Sequence, residues 1–142
     1  MKPVMLLVAG ILLFLGTGLV SAGPAPDLSG TWIEEMVDGY MHSGERFNTI
    51  SAGDYWIITQ QDGLITGTNF FTTPGGEVVE EPVAGVVSPE GTVLSLVDSS
   101  GGTYTATLTG DDTLLVQYLN TGDRKEESGY AFAFRQILKR AE

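Results

Sequence analysis

The stretch TYTATLTGDDTLLVQYLN, Thr103 to Asn120, decides the fold. Its first seven residues alternate strictly: Tyr104, Ala106 and Leu108 share one face, and Thr103, Thr105, Thr107 and Thr109 share the other. Side chains on a β-strand point alternately to opposite faces, so this is a strand with one buried and one solvated side. Gly110-Asp111-Asp112 is turn chemistry. A second strand follows, with Leu114, Val116 and Tyr118 set against Thr113 and Gln117, although Leu115 and Leu119 blur the pattern. Two strands joined by so short a turn run antiparallel.

The same grammar extends along the chain in both directions. Short runs rich in Val, Ile, Thr, Tyr and Phe alternate with clusters of Gly, Pro, Asp and Ser, and no helical period appears after residue 22. The runs predict eight strands: Gly30–Val37, Asp54–Gln60, Leu64–Thr72, Val78–Val87, Thr92–Asp98, Thr103–Thr109, Thr113–Asn120 and Gly129–Leu138. In the last, Tyr130, Phe132, Phe134 and Leu138 lie on one face. The second, fourth and fifth runs do not resolve their faces, and Val78–Val87 is apolar on both. Short connections make the order a meander, and closure of a meander removes its exposed edges. The predicted fold is all-β, an eight-stranded antiparallel up-and-down β-barrel.

Tracing that meander sorts the connections by end. QQDG, SPEG and GDD are tight and fall together. Asp38 to Gly53, TPGGE, SSGG and Thr121 to Ser128 are mostly longer and fall at the opposite end. The barrel therefore has a base of tight turns and a mouth of larger loops.

The first residues read differently. Lys2 is followed by an apolar run from Val4 to Val20 and by the small residues Ser21 and Ala22, the pattern of a secretory signal peptide. The predicted organisation is a signal peptide over 1–22, a short lead over 23–29 and one barrel domain over 30–142. An uncleaved membrane anchor is the alternative for the first segment. The expected location is secreted or extracytoplasmic, with no stable membrane insertion once the signal is removed. The chain has no cysteine, so no disulfide supports the domain. All 18 Asp and Glu lie after residue 22 against six Lys and Arg, a net charge of about −12 there. Such a surface repels nucleic acid, whose affinity for proteins comes largely from phosphate neutralisation.

One motif carries a family likeness. Gly30-Thr31-Trp32 at the start of the first strand resembles the Gly-x-Trp of the calycins, the lipocalins and avidins. In that group the tryptophan closes the barrel base, and a basic residue near the end of the last strand packs across it. The resemblance implies that role for Gly30, Trp32 and Arg140. Asp62–Thr68, DGLITGT, also resembles an avidin strand carrying Thr-Gly-Thr. Avidins follow it with a ligand-binding tyrosine, where this chain has Asn69, and they line the wall with tryptophans, where this chain has Leu94 and Ser95. Those departures argue against a biotin site. The Ser-Gly-x-Trp start, Ser29 to Trp32, is similar also to bacterial protease inhibitors on a small barrel, which act through an N-terminal arm. Here that arm is only Gly23 to Asp27.

The chemistry-bearing residues point away from an enzyme. One histidine, His42, and no cysteine leave little for a nucleophile–base pair or a transition-metal site. Glu80-Glu81 and Asp111-Asp112 lack calcium-loop spacing, and nothing calls for a metal or cofactor. Aromatic residues gather instead toward the expected mouth. The candidate ligand-binding residues are Glu34, Trp56, Phe70, Tyr104, Tyr118 and Tyr130. They suit a small apolar or aromatic ligand, since pockets are mostly apolar with a few placed polar groups. The alternative is a structural or protein-interaction module, protease-inhibitor-like barrels included, whose interior is filled by these same side chains.

Overall fold

The computed structural model describes residues 26–50, 53–73, 75–122 and 131–142. The signal-peptide segment 1–22, residues 23–25 of the lead and Tyr130 lie outside the described residues. Nine strands form one antiparallel sheet: β1 Gly30–Met41, β2 Arg46–Ile50, β3 Tyr55–Gln61, β4 Leu64–Thr72, β5 Val78–Val87, β6 Val93–Asp98, β7 Thr103–Thr109, β8 Thr113–Asn120 and β9 Phe132–Arg140. Every neighbour in sequence from β3 to β9 is a neighbour in space, and β9 pairs back onto β1. The result is a closed eight-stranded up-and-down barrel, with β2 as an addition at one end.

The addition corrects the expected loop from Asp38 to Gly53. β1 is twelve residues long and needs partners along both edges. β9 covers one edge from Trp32 to Met41. On the other edge β3 pairs only with Gly30 to Ile33, and β2 takes over from Met36 to Tyr40. Backbone groups left unpaired there would cost a hydrogen bond each when buried, and the β1–β2 hairpin satisfies them. The changeover falls at a bulge between Glu34 and Met36, where Glu34 N donates to Asp54 O at 2.9 Å. A bulge inserts one residue and shifts the alternation. Trp32 and Glu34 face inward before it. After it Val37 and Gly39 do, opposite the inward Gln136 and Phe134.

The interior is one contiguous cluster. Trp32, Leu28, Leu94 and Leu138 are 0 % exposed, and Trp56, Ile58, Ile65, Val83, Leu96, Tyr104, Ala106, Leu114, Val116 and Tyr118 join them. β5 resolves here as well: Val83 is buried, while Val78 and Val86 lie outside, exposed on the wall.

The base is built from the lead and the two ends of the chain's sheet. Trp32 pairs directly with Arg140 across β1 and β9. The Arg140 guanidinium carbon stands 4.4 Å from the centre of the Trp32 ring. Its two terminal nitrogens donate to Ser29 O and Asp27 O, each at 2.9 Å. A cation stacked on an indole and shielded from water contributes ~1–2 kcal/mol. The indole Nε1 donates to Leu28 O at 3.0 Å, and Gln60 Oε1 accepts from Leu28 N at 3.0 Å. Pro26 to Ser29 is thereby folded across the base rather than trailing from it. Gly30 takes φ 135°, a conformation that a side chain would strain, whereas a Cβ there would meet nothing nearer than 3.5 Å. Glycine is needed here for backbone shape, not for room.

Candidate functional site

The barrel interior away from the base holds two layers of chemistry. The first is a run of polar side chains on adjacent strands. Gln136 on β9 donates its amide nitrogen to the Glu34 carboxyl on β1. Glu34 is the diagonal neighbour of Trp56 on β3, because Trp56 pairs with Trp32 two residues before it. Trp56 pairs directly with Asn69 on β4. All four are at least nine-tenths buried: Glu34 is 3 % exposed, Gln136 5 %, Trp56 1 % and Asn69 6 %. Each carries one polar atom with no hydrogen-bond partner among the described residues: Glu34 Oε1, Gln136 Oε1, Trp56 Nε1 and Asn69 Oδ1. Buried polar groups are ordinarily satisfied, and each one left open costs on the order of 1–3 kcal/mol. Burial raises the Glu34 carboxyl above its usual range, and the nearby Asp54 charge adds to this. The Gln136 hydrogen bond opposes it.

The second layer is aromatic. Tyr104 meets the Trp56 ring edge-on at 4.9 Å and the Tyr118 ring at 4.4 Å. Tyr118 stacks on Phe134 at 4.7 Å and lies 5.4 Å from Phe132. Phe47, from the added strand β2, closes on Phe134 at 6.4 Å. Burial raises the phenols of both Tyr104 and Tyr118, so both stay neutral donors.

A second buried polar group anchors the mouth. Asp98 Oδ2 accepts the Tyr118 hydroxyl at 2.8 Å. Its Oδ1 accepts Gly102 N at 2.7 Å and Ser100 N at 2.9 Å. Asn120 Nδ2 donates to the same Tyr118 oxygen at 3.0 Å. The ring sits directly on Gly102, where a Cβ would come within 2.0 Å of the Tyr118 oxygen. Unlike the polar run, this network has its donors and acceptors matched.

The sequence candidates separate accordingly. Glu34, Trp56, Tyr104 and Tyr118 come together inside. Trp56 is in register with the base tryptophan and so belongs to the interior, not to the rim. Phe70 is a correction. It has the parity of Thr66 and Thr68, opposite to the buried Ile65 and Asn69, and stacks on Tyr55 at 4.6 Å on the outer wall. Adjacent aromatics in one strand cannot share a face, and of Phe70 and Phe71 the pleat turns the second one inward. Sequence reading missed Gln136 and Asn69. Both have the parity of buried neighbours, Gln136 between Phe134 and Leu138, and that alternation is the signal that would have found them.

Two cavities lie on the outside of the barrel. One, of about 410 Å³, runs over Met36, Thr105, Leu115, Arg135 and Ile137. The other, of about 560 Å³, covers Tyr40, Gln117, Leu119 and Arg135, with Asp38 paired to Arg46 and Arg135 at its side. Among the described residues no group of three or more His, Cys, Asp or Glu is arranged to hold a metal ion.

No protein-family model matches the chain, and no curated protein matches it. Solved structures do. The possum milk whey lipocalin trichosurin, with bound 4-ethylphenol, is 14 % identical with a TM-score of 0.52, over 80 % of this chain and 76 % of that one. The odorant binding protein OBP1 is 14 % identical with a TM-score of 0.52, over 80 % and 71 %. A de novo designed fluorescence-activating β-barrel is 13 % identical with a TM-score of 0.51, over 82 % and 96 %. At such identities the likeness is one of fold: the chain has a calycin-like, lipocalin-type barrel.

Proposed function

We propose that this chain is an exported, non-enzymatic barrel protein that holds a small apolar or aromatic ligand inside, admitted through the mouth. The observation that carries the reading is the set of four unpartnered, buried polar atoms on Glu34, Gln136, Trp56 and Asn69. A core built only for stability has its polar groups matched, as the Asp98 network does. An interior with open hydrogen-bonding positions beside a wall of aromatic rings is what a ligand site requires. The lipocalin-type fold supports the reading, as does the bound 4-ethylphenol in trichosurin. The Tyr118 ring lies against both Tyr104 and Phe134, so a ligand must part these rings to reach the polar run. The apolar segment from Val4 to Val20 supports export.

Native mass spectrometry of the protein purified from its own source tests this. The expected result is a co-purifying small molecule, lost in a folded Tyr118→Ala variant. A protein of bare mass, which also takes up no small aromatic compound when offered one, overturns the reading.

A second reading is favoured by the same ring contacts and by the outer grooves. In it the barrel is filled and acts through its outer wall, where Leu115, Ile137 and Met36 lie in one row across β8, β9 and β1. A mass shift that persists after substitution of interior residues, and disappears on Leu115→Glu, would favour this reading over the first.

A further inference from the structure

The open polar atoms are not evenly divided. Three are acceptors, Glu34 Oε1, Gln136 Oε1 and Asn69 Oδ1, and one is a donor, Trp56 Nε1. The orientation of the Gln136 amide is set by its neighbour. Gln136 spends its nitrogen on Glu34, which leaves its oxygen open. Asn69, paired with Trp56 across β3 and β4, has its Oδ1 open.

The described Lys and Arg side chains are all engaged elsewhere. Arg46 and Arg135 pair with Asp38 on the outer wall, Lys139 pairs with Asp112, and Arg140 lies on Trp32 at the base. A carboxyl group is thus buried with no described Lys or Arg to match it. The Trp56 ring, whose Nε1 is one of the four open atoms, meets Tyr104 edge-on, and an aromatic face attracts a cation as well as an apolar body.

Taking the barrel to be a ligand carrier, we infer that its ligand is a small organic cation: a primary ammonium group on a compact aromatic or apolar body. The ammonium brings three donors and a positive charge to three open acceptors, one of them an oxygen of the Glu34 carboxyl group. The body packs against Trp56, Tyr104 and Tyr118. A neutral ligand of the same size would leave acceptors open, and an anion would oppose Glu34.

Three probes with one body and different heads test this: benzylamine, benzyl alcohol and benzoate, titrated at pH 7 with tryptophan fluorescence and calorimetry as readouts. Charge-assisted hydrogen bonds in a buried site correspond to roughly tenfold or more in affinity. Benzylamine is expected to bind at least about tenfold more tightly than benzyl alcohol, and benzoate more weakly than either. In Glu34→Gln, which keeps the side-chain shape, the ratio of benzylamine to benzyl alcohol affinity should fall to about one. Benzyl alcohol or benzoate binding as well as benzylamine overturns the cation assignment and leaves the ligand-carrier reading standing. An amine preference unchanged in Glu34→Gln also overturns it. Binding of none of the three to folded protein overturns both.

Discussion

Gln136 on the last strand donates its side-chain amide to Glu34 on the first, inside the seam that closes the barrel. The seam that makes this a barrel is therefore also where its buried carboxyl group is held. Glu34 reaches that position because it precedes the β1 bulge, and Gln136 because it lies between Phe134 and Leu138 on the inward face of β9.

Glu34→Gln is expected to change how stability depends on pH. Burial raises the folded-state carboxyl above its ordinary value of 4.5. A raised acid binds its proton more tightly in the folded state. Its contribution is therefore fully present below the unfolded value and is lost as pH rises through the folded one. Asp27, Asp38 and Asp112 are shifted the other way, so the comparison must be parent against variant. Urea denaturation from about pH 4 to about pH 7 should show Glu34→Gln gaining on the parent as pH rises. A difference independent of pH would show that Glu34 is not held in a penalising environment.

Trp32→Ala removes the largest side chain of the base, 0 % exposed, together with the partner of Arg140. Such a truncation costs about 3–5 kcal/mol. A thermal melt should move down by roughly 10 °C or more for a domain of this size. A variant as stable as the parent would mean that the base does not depend on this plug.

Gly102→Ala puts a methyl group where the Tyr118 ring now lies, 2.0 Å from its oxygen. Overpacking of this kind costs about 1–3 kcal/mol, and it has a specific cause that a second substitution can remove. In Tyr118→Ala the added methyl group should cost much less. A double-mutant cycle by urea denaturation would read the coupling as on the order of 1 kcal/mol. Additive effects would mean that the ring does not rest on Gly102.

Phe70→Ala and Tyr118→Ala should behave differently although both remove an aromatic ring. Phe70 stacks with Tyr55 on the outer wall, a cross-strand pair worth about 0.2–1 kcal/mol. Its loss should lower stability slightly and leave uptake of benzylamine unchanged, whereas Tyr118→Ala should weaken uptake. Equal loss of binding in both would place the ligand outside the interior.

Much of the fold was legible because alternation is a local property. Thr103–Thr109 and Thr113–Asn120 are strands with the bounds their sequence predicts, since each carries its own period and its own turn. β2 was not legible. Arg46 to Ile50 has little apolar alternation, and it is a strand because the far half of β1 has an edge that nothing else covers. The inward face of Val78–Val87 was equally closed to sequence reading, because both of its faces are apolar and only pairing with β4 and β6 selects one.

The candidate site divides in the same way. Tyr104 and Tyr118 could be placed from their strands alone, and parity within β4 would have sent Phe70 outward. Period and turn chemistry act over a few residues, so the sequence by itself determined strand identity, meander order and the Gly30-Thr31-Trp32 start. The juxtaposition of Gln136 with Glu34 and of Trp56 with Asn69 depends on ring closure and on the shift that one bulge imposes on β1. Contacts between residues so far apart in the chain carry no local signature. Only the closed barrel decided which buried polar atoms find partners and which stay open.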